Sequence, residues 1–170
     1  INIIRSNYKI KDVKFNRIVS DAIDIDFSNG EIINSTFNSI GNDGIDFSGS
    51  KSIVLNGNFS NVGDKIISVG ELSEVSISNI KAKDSYIGVV SKDSSNVFVK
   101  NIQFHNVKIP FSAYQKKSEY SFAKMNLNNV KSDNHLFYSL RDEKSKIFEG
   151  NREIGKYTEN ILSVIYERNL

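Results

Sequence analysis

A short motif, apolar residue, one residue, Asn or Asp, two residues, then usually an apolar residue, returns six times along this chain of 170 residues. No other feature restricts the fold as tightly. It reads Ile10-Lys-Asp12-Val-Lys-Phe15, then Ile32-Ile-Asn34-Ser-Thr-Phe37, Val54-Leu-Asn56-Gly-Asn-Phe59, Ile77-Ser-Asn79-Ile-Lys-Ala82, Val99-Lys-Asn101-Ile-Gln-Phe104 and Leu127-Asn-Asn129-Val-Lys-Ser132. The intervals are 22, 22, 23, 22 and 28 residues. A second column, Ile23, Ile45, Ile66, Ile87, Ile109 and Phe137, keeps step at 22, 21, 21, 22 and 28. Such a period marks a solenoid, in which each coil returns to the same place one strand spacing, about 4.8 Å, along the axis.

Within a coil the alternation has period two. In Asp21-Ala-Ile23-Asp24-Ile25-Asp26 the isoleucines point inward and Asp24 and Asp26 outward, and Ile45, Asp46 and Phe47 repeat the pattern. A single proline and abundant Ile, Val, Phe, Ser and Asn favour short strands joined by polar turns. The fold read from these patterns is all-β, a parallel β-helix of six to seven coils over residues 1–140. A partial coil and a C-terminal cap follow over 141–170. The column Asp12, Asn34, Asn56, Asn79, Asn101 and Asn129 is expected to form a structural ladder at one corner, since asparagine tolerates left-handed backbone and its amides pair in stacks. The long interval places an external loop within residues 112–124, and "TENILSVIYERNL" at the C-terminus is expected to cover the open end of the stack.

Composition narrows the function. A formal charge of +2 does not describe a polyanion-binding protein, so nucleic acid is not an expected partner. Cysteine is absent and the only histidines are His105 and His135, which leaves thiolate metal sites and histidine triads without parts. There is no apolar run long enough for a membrane span. The chain starts at Ile1 with no signal-like stretch, as a mature or excised piece would, and further domains outside it are expected.

With these residues in place, the chain resembles the right-handed parallel β-helix superfamily, the pectin-lyase-like fold, over roughly residues 8–140. "VGDKIISVGE" (62–71) and "AYQKKSEY" (113–120) are similar to segments of bacterial β-helix repeat proteins that accompany CotH-like kinase or cell-surface modules. The resemblance implies a right-handed solenoid, an extracellular or cell-surface setting, and acidic polysaccharide as the substrate class. "NDGID" (42–46) is similar to the aspartate-bearing strand of polygalacturonases. That family's Gly-His-Gly turn and Arg-Ile-Lys strand have no counterpart here, which counts against glycoside hydrolysis of that type.

Stacking sets Asp24 beside Asp46 and gathers Asp21, Asp43 and Asp64 into a second short column, while Lys65 is expected beside Ala22, Gly44, Tyr86 and Lys108. Carboxylates one rung apart repel unless a cation intervenes. One reading is a patch that holds Ca²⁺ or a sugar chain; the other is that Asp21, Asp43 and Asp64 cap turns through their own backbone. A lyase or epimerase built here would use Lys65 as base, Tyr86 or Tyr114 as proton donor, and Asp24 with Asp46 as a calcium seat, Asp46 counting among the catalytic groups. A glycosidase would need two carboxylates about 5–9 Å apart. Tyr114, Gln115, Lys116, Lys117 and Tyr120, together with Asp24, are the expected substrate-binding residues. The expected function is a secreted or cell-surface module that binds an acidic polysaccharide and acts on uronate-containing glycans as a lyase or epimerase. The alternative is a non-catalytic structural or adhesion stalk.

Overall fold

The structure, a computed structural model, describes residues 1–167. β1 (Asn2–Ile4), β2 (Asn7–Lys11) and β3 (Lys14–Ile18) form the first coil; β4 (Ile23–Asp26), β5 (Asn29–Ile33) and β6 (Thr36–Ile40) the second; β7 (Ile45–Ser48), β8 (Lys51–Leu55) and β9 (Asn58–Val62) the third. Beyond these, single strands run around corners: β10 (Lys65–Gly70), β11 (Glu74–Lys92), β12 (Asn96–Tyr114) and β13 (Lys124–Asp133). β14 (Ser139–Arg141) and β15 (Lys146–Glu149) make a partial seventh coil, followed by β16 (Arg152–Ile154) and β17 (Lys156–Tyr157). Pairing between coils is parallel, and among the described residues only β16 runs antiparallel, on β15.

The result is a three-faced parallel β-helix. Face A stacks Asn2, Asp24, Asp46 and Ser68 in register, continuing through Val90, Ser112 and Leu140. Face B stacks Ile10, Ile32, Val54, Ile77, Val99 and Leu127. Face C stacks Phe15, Phe37, Phe59, Ala82, Phe104 and Ser132. Inside, Phe37 lies flat between Phe15 and Phe59, with ring centroids 4.9 and 4.4 Å away. The stack follows from the repeat, because residues in equivalent positions of parallel coils sit one rung apart.

Corners are held by polar ladders. Asn34 donates to Asp12, and the chain of side-chain amides continues through Asn56, Asn79, Asn101 and Asn129 at 2.7–3.1 Å. All six residues have φ between 50° and 57°, the left-handed geometry that asparagine tolerates better than most side chains. A buried serine ladder serves another corner: the amides of Ser28, Ser50 and Ser73 donate to the hydroxyls of Ser50, Ser73 and Ser95. Buried backbone polar groups find partners there without any side-chain bulk.

Two expectations change. The second core column is Ile23, Ile45, Ile67, Val89, Phe111 and Ser139, not Ile66, Ile87, Ile109 and Phe137 in its later members. The register slips by one residue at Ile67 and by two from Val89 onward; the slip starts in Lys65–Gly70, where every residue is buried and no polar alternation marks which side faces in. The second change concerns the C-terminus. The end of the stack is closed by β16 folding back on β15 and by β17 on β14, with Ile154 against the core. Residues 161–167 form a short helical strap, π-helical over Ser163–Glu167, that lies instead along the outside of face A. Arg168, Asn169 and Leu170, the last part of the expected cap, lie outside the described residues.

Candidate functional site

Face A changes character along the axis. On the second and third coils its outward residues include Asp24, Asp26 and Asp46; further along, the column continues through buried Ser68, Val90, Ser112 and Leu140, with Ile87, Ile109 and Tyr114 making the surface largely apolar. Ile161 and Ile165 of the strap bury against that apolar half, with Tyr86, Phe137 and Val164 alongside. Burying two isoleucines is worth roughly 4 kcal/mol or more in gross terms. The strap therefore covers the apolar half and leaves the carboxylate half open.

Where the two halves meet there is a buried charge cluster. Lys65, only 3 % exposed, is held by Asp64 and by Asp43, the latter at 3.4 Å and 4 % exposed. The Lys65 backbone amide also donates to the Asp43 carboxylate at 2.9 Å. Lys65 thus stands in the column of Asp21 and Asp43, followed by Ile87, rather than beside Tyr86 and Lys108. The ring of Tyr166 lies 5.0 Å from the Lys65 ammonium and 4.6 Å from that of Lys116, and its hydroxyl meets that of Tyr114 at 2.9 Å.

The ionisation states follow from burial and neighbours. Burial pushes the Asp43 carboxyl up to about 7, against the attraction of Lys65 and with some help from Asp46 and Asp64. Burial alone would lower Lys65, but Asp43 and Asp64 outweigh it and hold the ammonium above its ordinary range. A lysine so held donates and carries charge; it does not accept a proton at neutral pH. Asp24 is raised by partial burial and then by Asp26, Asp46 and Asp21, the repulsion expected of stacked carboxylates. Burial, then Tyr166, raises the Tyr114 hydroxyl.

A pH dependence follows. Asp43 binds a proton more tightly folded than unfolded, so its contribution to stability is present below its ordinary value of 3.8 and is lost as pH rises through about 7. Asp43→Asn should remove that fall while keeping an oxygen to accept the Lys65 amide. Thermal unfolding of both proteins from acid to neutral pH checks it; parallel curves would show that Asp43 does not titrate in this window.

The remaining expected residues are distributed as follows. Asp24 and Asp46 are indeed adjacent rungs. Asp46 faces Lys92 at 3.6 Å, and its buried Oδ1 accepts no hydrogen bond from the described residues. Among the described residues no three acidic or imidazole groups converge as metal ligands, so the two carboxylates do not by themselves fit a calcium ion. Tyr86 is half-buried under the strap and donates to the Val164 carbonyl at 3.3 Å. Tyr114 is fully buried at the end of β12, not exposed on the loop. The loop after it is tied down: the amides of Lys116 and Lys117 donate to Asp93 at 2.6 and 2.8 Å, Lys117 pairs with Glu71, and the Gln115 side chain donates to the Tyr120 carbonyl. Lys116 keeps an exposed side chain at the rim. Sequence reasoning did not assign Lys92, Asp93 or Tyr166 to the site. No local motif marks them; they arrive there through register and the return of the strap.

A three-faced stack of parallel coils carrying a buried ion cluster on one outer face defines a parallel β-helix protein. The family model for the right-handed β-helix region matches residues 1–156, and the chain belongs to that family. No curated protein matches it. Among solved structures it is similar to QnrB1, a plasmid-mediated fluoroquinolone resistance protein, at 12 % identity over 96 % of this chain and 97 % of that one; the TM-score of 0.19 is too low to carry an argument. No helix among the described residues is long and apolar enough to cross a membrane.

Proposed function

We propose that the protein is a secreted or cell-surface β-helix module that binds an acidic polysaccharide along the open half of face A and works by binding rather than bond cleavage. The observation that supports it is the outward row Asp24, Asp26 and Asp46, bounded by the strap on one side and by the loop bearing Lys116 on another. Stacked one rung apart, these carboxylates repel one another, and hydroxyl donors from a sugar chain would relieve that cost. Exposed Lys116 offers a cation to the polymer's carboxylates. Cleavage finds little support, since Lys65 is held protonated and the Tyr86 hydroxyl is engaged beneath the strap.

The test is affinity electrophoresis through alginate and polygalacturonate gels, with absorbance of unsaturated products followed in parallel. Wild type should be retarded without forming product. Asp24→Ala combined with Asp46→Ala should weaken binding by about tenfold, the loss of two charge-assisted hydrogen bonds. Unretarded wild type would instead make the solenoid a spacer, and product formation would restore a lyase.

A further inference from the structure

We propose that face C is a second binding surface, one that takes a linear polyanionic glycan through the carboxylate or sulfate groups of the polymer. A groove of about 570 Å³ opens over this face. Phe59, Ala82 and Phe104 contribute to its lining, and Ala82 is a break in the column of rings formed by Phe15, Phe37, Phe59 and Phe104. Lys81, Lys83 and Lys131 also line it.

The lysines of this groove are unlike the others. Elsewhere each ammonium generally has a partner: Lys9 with Glu31, Lys51 with Glu74, Lys92 with Asp46, Lys146 with Glu153, and Lys124, Lys144 and Lys156 over aromatic rings. Among the described residues only Lys14, Lys81, Lys83, Lys100 and Lys131 meet no acid, amide or ring, and four of these five stand on face C. The acid lining the groove, Asp133, is engaged by His105 at 2.6 Å. In a protein of nearly balanced charge, four of the five lysines with no acid, amide or ring in contact thus share one face.

Their spacing specifies an extended ligand. Lys14, Thr36, Asn58, Lys81, Gln103 and Lys131 are successive rungs of one outward column. At about 4.8 Å per rung the cations at its ends lie roughly 24 Å apart along the axis. A small anion would meet one of them, whereas a polymer lying along the axis meets all. The amides and hydroxyls between the cations suit sugar hydroxyls. Phe59 and Phe104 are buried and the His105 ring is tied to Asp133, so the groove has no row of exposed rings on which successive bases could stack. This surface is independent of the carboxylate row on face A, and the two are separable by mutation.

Heparin and alginate are the probes, titrated in EDTA over a series of salt concentrations. Wild type should bind with affinity that falls steeply with salt. Reversing three exposed charges, Lys81→Glu with Lys83→Glu and Lys131→Glu, should weaken binding by at least about tenfold. Lys100→Glu on face B should bind these probes as wild type does, the triple reversal should cost the same factor in heparin affinity whether or not Asp24→Ala and Asp46→Ala are also present, and an unchanged melting temperature shows that the triple variant is folded. Preference for heparin over alginate selects sulfate over carboxylate within the proposal. Absence of binding, equal loss in Lys100→Glu, full binding by the triple variant, or displacement of heparin by single-stranded DNA at lower concentration would each overturn it.

Discussion

Lys65→Ala is expected to lower the free energy of unfolding by about 3–5 kcal/mol near neutral pH. The lysine lies buried between Asp43 and Asp64, and its removal leaves one buried and one mostly buried carboxylate with no other cation of the described residues in contact. The loss should shrink toward acid pH, because Asp43 already sits at about 7 with the lysine present and would take up a proton more readily without it. Tyr166 also loses one of the two ammoniums that flank its ring, so the strap should loosen. Urea unfolding at neutral and acid pH measures the first effect, and hydrogen exchange over residues 161–167 the second. A loss under about 1 kcal/mol at neutral pH would mean that water reaches the cluster and replaces the ion pairs.

Phe37→Ala should cost a similar amount, about 3–5 kcal/mol, for a different reason. Phe37 is fully buried and stacked on both sides, so truncation removes two ring contacts and opens a cavity that coils fixed by their ladders cannot collapse to fill. The effect should be cooperative with its neighbours: Phe15→Ala, at the less buried end of the stack, should cost less alone, and the double variant less than the sum. Equal losses at Phe15 and Phe37 would show that the stack contributes no more than the burial of each ring.

Much of the solenoid is legible in the chain because a parallel stack repeats its environment. The asparagine column could be assigned as structural from spacing alone, since only a left-handed corner paired to its neighbours explains that residue type every coil. Adjacency of Asp24 and Asp46 was equally readable, as both lie in strands where apolar and polar residues alternate. The one-residue slip at Lys65 arose where alternation vanishes, and it moved Lys65 from a column beside Tyr86 to one beneath Asp43.

That slip and the misplaced cap have one physical origin. On the later coils, face A is buried outside as well as inside, with the strap over its apolar residues, and a strand buried on both sides carries no period-two signal. Sequence by itself determined the repeat, the parallel stack and the asparagine ladder, which depend on residues about 22 apart meeting their equivalents. Only the tertiary structure decided where residues 161–167 return, that Tyr166 meets Lys65 across a hundred residues, and that the unpaired lysines share face C. Those contacts join segments with no common period, so nothing in local patterning could have specified them.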